Sequence, residues 1–176
     1  PFAALHDGEH YLVERHPLAL LHPAALARVD APRRADWQVH GFGLSRAVQG
    51  FVPLAAVRQE LEGIRDLYGS ASRLWFDGEF TEASLTGSFA RPHPVLHLAS
   101  HFVLTPGGVT ESFLLLGDGS RFSLARAREL DFSGLDLLVL SACETAMPGG
   151  RDREGREVES FGALAQAQGA GAVLAS

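Results

Sequence analysis

The sequence contains no lysine and no asparagine, a single isoleucine (Ile64), a single methionine (Met147) and a single cysteine (Cys143) among 176 residues. One cysteine excludes an internal disulfide and every zinc or iron–sulfur site built from several thiolates. It is compatible with a reducing compartment, and the cytoplasm is the expected one. All fifteen basic residues are arginine; a GC-rich coding sequence accounts for that bias, so it carries no chemistry. No apolar run approaches the roughly 20 residues of a membrane helix, and no membrane partner is expected. The chain does not open on a basic segment followed by an apolar one, so no signal peptide is read. Nor does it open on methionine but on Pro1, and it is expected to be a fragment of a longer protein. Positive charge is also scarce: a net charge of -6 and a pI near 5.7 argue against direct nucleic-acid binding.

At 46% hydrophobic and 20% charged residues, the composition is that of a globular protein. The length suits one domain with a real core, so residues 1–176 are expected to form a single domain. Residues 1–36 are read as an amino-terminal hairpin, turned at Asp7-Gly8, followed by a connecting segment with a short helix. Trp37 then opens a strand that ends in the glycines of GFG. Leu54, Val57, Leu61, Ile64, Leu67 and Tyr68 recur at helical spacing. A strand over Arg73–Phe76 closes at Asp77-Gly78, and Thr81 caps a helix over 82–89. The next strand runs from Pro94 to Ser100. Ser112–Leu116, turned at Gly117–Gly119, forms a hairpin arm, and Ser123 caps a helix over 124–130. Leu135–Ala142 is apolar enough to be buried on both faces. A charged loop over 147–157, a helix over 158–168 and a strand over 170–176 complete the chain, which has no internal repeat. Strands alternating with helices predict an α/β fold with a mostly parallel sheet, whose chemistry lies at the carboxyl ends of the strands.

Two residues fall at such ends. His101 follows PVLHLAS and Cys143 follows LDLLVLSA. If the strands are parallel neighbours, the two stand about 5 Å apart per strand step. A thiol becomes a nucleophile as the thiolate, and an imidazole can take its proton and later protonate a leaving amine. The plain alternative is that Cys143 only packs, since lone cysteines are usually buried. His97 and His101 do not suit a shared metal, because four residues of strand span about 13 Å; His97 reads as an interior histidine bonded to neighbours. No metal and no cofactor are expected. GFGLSR (Gly41–Arg46) offers Gly-x-Gly after a strand, but Arg46 stands in place of the third glycine, so a tight turn at a sheet edge is the simpler reading than a nucleotide site. Asp152, Glu154, Glu157 and Glu159, in the charged stretch Arg151–Glu159, are read as a solvated flap that can draw a basic substrate.

HLASHF, SFLLLGDGSRFSLARARELDFSGLDLLVLSACETA and GREVESFGALAQAQGAGAVLAS resemble the CHAT domain family. These are caspase-like domains of the clan CD type, often attached to tetratricopeptide repeats in bacteria. The resemblance implies a three-layer α/β/α sandwich whose carboxyl-terminal part is missing here, since the family continues beyond a strand such as GAVLAS. It also implies a His-Cys dyad: His101 matches the histidine and Cys143 the nucleophile. Backbone N–H groups of Phe102 and Cys143 are then the expected oxyanion donors; Phe102 stands where the family commonly has glycine. Metacaspase-like relatives carry an acidic residue just before the cysteine, whereas this chain has Ser141 and Ala142. The implied activity is that of a cysteine endopeptidase acting on a protein or peptide, regulated by a partner or a repeat domain in the same polypeptide. The substrate-binding residues are unknown at this level. An idle CHAT domain serving as an interaction scaffold is the alternative.

Overall fold

A computed structural model describes residues 5–17, 23, 26, 37–90, 94–105, 108, 110–144 and 161–175, with 142–144 as backbone. Of the expected helix within 23–36 only Pro23 and Leu26 are described, and the charged loop over 147–157 and the acidic residues Asp152, Glu154, Glu157 and Glu159 lie outside the described residues.

The amino-terminal turn forms at Asp7-Gly8, with Gly8 at φ 106°, but only one bridge, His6 to Tyr11, closes it. The second arm is instead a short helix, α1 (Leu12–Arg15). Glu14 accepts the Tyr11 amide at 2.8 Å, a local cap that favours the helical turn over an extended arm.

A seven-stranded sheet is built from the described residues. Its parallel part runs β2 (Arg73–Phe76), β1 (Val39–Gly43), β3 (Val95–Val103), β6 (Leu137–Glu144) and β7 (Ala172–Ala175). β3 outruns β1, and its end pairs antiparallel with β4 (Phe113–Leu115), which forms a hairpin with β5 (Arg121–Ser123). α2 (Val57–Tyr68) covers one face, where Val57 and Leu61 pack on Ala99 with Leu74 and Phe76. The other face carries the larger core. There Leu96, Leu98 and Leu138 meet Leu85 of α3 (Glu82–Ser88), Leu124 and Ala127 of α4 (Leu124–Ala127), and Phe161 and Leu164 of α5 (Phe161–Ala167). The result is helix, sheet, helix: the expected three layers.

The local signals explain most boundaries. Thr81 Oγ1 accepts the Ser84 amide at 3.1 Å and Ser123 Oγ accepts that of Arg126 at 3.2 Å, so both caps form as predicted. α4 stops at Ala127, short of the expected 130, because Leu130 and Phe132 turn into the core instead of continuing the helix.

The glycines of GFG are not a sheet-edge turn. Gly41 and Gly43 lie inside β1, flanked by β2 and β3. A Cβ on Gly43 would fall 2.6 Å from Val57 and 2.7 Å from Leu61; one on Gly41 would fall 2.7 Å from Leu74. Glycine is needed there so that α2 can lie close on the sheet.

Candidate active site at the carboxyl ends of β3 and β6

The chain passes from β1 outward to β2 and then returns to β3 on the other side of β1. In a parallel sheet such a reversal of strand order marks the usual place for a ligand, outside the strand ends. His101 lies on β3, past the last residue of that strand that pairs with β1. Both β3 and β6 run further than expected, to Val103 and Glu144, so His101 and Cys143 sit within their strands instead of beyond them. They pair directly: His101 is the register partner of Cys143 on the adjacent parallel strand, at the strand spacing of about 5 Å.

His101 is 1% exposed. Its Nε2 lies 2.8 Å from the carbonyl oxygen of Val52, which only an N–H can satisfy. The ring therefore carries its proton on Nε2, and Nδ1 is the basic nitrogen. Nδ1 is buried and has no hydrogen-bond partner among the described residues. The Phe51 ring lies 5.1 Å away and covers one side of the imidazole.

One pleat below, residues of the same strands form a second polar cluster. Glu60 of α2 accepts from His97 Nε2 at 2.8 Å and from Ser141 Oγ at 3.3 Å. His97 is thus an interior histidine bonded to a neighbour. Burial lowers its pKa below 6.5, against the opposing pull of the Glu60 charge. Although serine, histidine and carboxylate are all present, the acid sits between the other two. Ser141 cannot pass its proton to His97 in that order, so the cluster is no hydrolytic triad.

The segment that suggested a nucleotide site is committed elsewhere. The amides of Ser45 and Arg46 donate to the Asp77 carboxylate at 2.8 and 3.1 Å, leaving neither to hold a phosphate. Phe102 pairs with Leu114 on one side and with Glu144 on the other, so its backbone lies between two strands.

Sequence reasoning picked out His101 and Cys143 and missed Val52, Glu60 and Asp77. Val52 acts through a backbone carbonyl, which no side chain advertises. Glu60 reads as one more polar position of an amphipathic helix, and Asp77-Gly78 reads as a turn.

The model of the CHAT domain family matches residues 1–176, over the chain's whole length. No curated protein matches the sequence. The family is caspase-like and related to cysteine peptidases. Among the described residues no helix is long and apolar enough to cross a membrane.

Proposed function

The chain belongs to the CHAT domain family, and from that premise we propose that it is a cysteine endopeptidase module in which Cys143 is the nucleophile and His101 the base. The observation that carries the reading is the register pair His101–Cys143 combined with an imidazole whose Nε2 is tied to Val52 and whose Nδ1 is left over. Nδ1 takes the thiol proton, and the thiolate adds to a peptide carbonyl. The imidazolium then protonates the leaving amine as the C–N bond breaks, and water drawn by the neutral ring hydrolyses the thioester. The Val52 carbonyl plays the orienting part: it fixes the tautomer and accepts from the imidazolium when that forms.

The oxyanion falls to the backbone N–H groups of Phe102 and Cys143. Both residues are paired in the β3–β6 ladder, so the last rung must open before their amides can turn to substrate. That requirement, with the burial of His101, supports a resting state released by a partner or by a repeat domain in the same polypeptide. The compartment we assign is the cytoplasm, where the single thiol stays reduced.

The test is substrate cleavage by the complete polypeptide in lysate of its own source, scored by new peptide amino termini. Termini that appear with the native protein and vanish in both Cys143→Ala and His101→Ala support the proposal. Identical termini in all three contradict it and leave the scaffold reading.

A further inference from the structure

The Val52 carbonyl lies midway along the segment joining β1 to α2, and both ends of that segment meet one carboxylate. Asp77 stands at the end of β2 with 5% of its surface exposed. Its Oδ1 accepts from the Ser45 amide at 2.8 Å, the Ser45 hydroxyl at 3.0 Å and the Arg46 amide at 3.1 Å. Its Oδ2 accepts from the same hydroxyl at 2.9 Å and faces Arg46 Nε at 3.3 Å. That fastens the beginning of the segment. At the far end, in the first turn of α2, Arg58 reaches Oδ2 at 3.5 Å with its guanidinium 4.2 Å above the Phe76 ring.

The carboxylate is itself held from behind. Asp77 takes the left-handed backbone conformation at φ 49°, and its carbonyl accepts the Phe80 amide at 2.8 Å. The turn after β4 lies so close on it that a Cβ at Gly117 would fall 1.8 Å from the Asp77 carbonyl oxygen. Burial alone would raise the carboxyl pKa, but the donors from Ser45 and Arg46 outweigh it and the pKa is lowered, so the group is charged at neutral pH.

Between its two ends the segment is held by packing, with Val48 and Phe51 against Leu44, Phe113 and Leu115. Val48 and Phe51 close a turn through Gln49 (φ 50°) and Gly50 (φ 85°). Val52 follows directly, with its side chain 67% exposed. The carbonyl that orients His101 thus depends both on this packing and on where the ends of the segment are fixed.

We propose that Asp77 is a positioning residue for the reaction: by clamping Ser45–Arg46 and Arg58 it keeps the Val52 carbonyl on His101 Nε2, and so keeps Nδ1 the proton acceptor. The inference rests on the dyad reading for its catalytic meaning, but its structural content is measurable without activity. In the ¹⁵N-labelled complete chain, two-bond proton–nitrogen correlations report which ring nitrogen bears the proton, with the His101 signals assigned by their loss in His101→Gln. The native ring shows the Nε2–H tautomer. Asp77→Ala shows a mixture of tautomers, and alkylation of Cys143 slows about ten- to a hundredfold, the scale at which outer partners of reactive groups act. Asp77→Asn keeps the native tautomer, because its Oδ1 retains three of the bonds.

Arg58→Gln changes a half-exposed side chain and loosens the far end, giving up its contacts with Glu62 and the Phe76 ring as well; it gives the same shift, smaller, and decides the matter if Asp77→Ala does not fold. A native tautomer in folded Asp77→Ala or Arg58→Gln overturns the proposal, as does a mixture in the native chain. A native Cys143 that alkylates no faster than a free thiol overturns the peptidase reading instead, while the tautomers still decide the clamp.

Discussion

His101 has one nitrogen bound to a backbone carbonyl and one without a partner among the described residues, whereas His97, four residues earlier on the same strand, gives its Nε2 to the Glu60 carboxylate. What separates them is position: a carboxylate partner does not stop a histidine from acting as a base, but His101 is the register partner of Cys143 whereas His97 is that of Val139. The burial of His97 also predicts an acid-sensitive fold, with the Glu60 charge offsetting part of the effect. The pKa of His97 is lowered from 6.5 in the folded state, so below that pH the unfolded chain binds the proton more readily. The contribution is complete above pH 6.5 and is lost as the pH falls through the folded value. Melting temperature should therefore drop from about pH 7 to pH 5, and His97→Gln should flatten that slope. An unchanged slope in the variant would remove His97 as the cause. At this scale the sequence showed the side chains of the site and hid its backbone: HLASHF and SACET name their chemistry, but Val52 is an apolar residue in a loop until its carbonyl is seen.

Among elements, the packing of α2 on β1 decides whether the segment carrying Val52 reaches His101. The contact depends on glycine. Gly43→Ala would set a methyl against Val57 and Leu61 at under 3 Å, an overpacking that costs about 1–3 kcal/mol. Chemical denaturation should show that loss, and a variant as stable as the native chain would mean that α2 does not lie so close. Reading Gly-x-Gly as a turn failed because the same residues serve turns, phosphate loops and close helix contacts, and only the partner at close range tells them apart. The ends of β3 and β6 were set too early for a related reason. The apolar run stops at Ala142, but the strands continue while each has a partner, up to Phe102 and Glu144, and a partner's length is not written in the strand itself.

Over the whole molecule, the alternation of strands and helices was enough to foresee a parallel α/β sandwich, since buried parallel strands need helices on both faces. Strand order was not foreseeable in that way. The return from β2 across β1 to β3 follows from which helix covers which face. The central proposal is that Cys143 is an activated thiol served by His101, its register partner. Its most direct test is the alkylation rate of Cys143, the one cysteine of these 176 residues, followed by site-specific mass spectrometry in the complete polypeptide across pH, compared with a free cysteine and with His101→Ala. The account predicts a reaction faster than free cysteine at neutral pH, and a fall of about a hundredfold or more in His101→Ala. A native thiol that reacts like free cysteine at every pH, unchanged by the loss of His101, would contradict it.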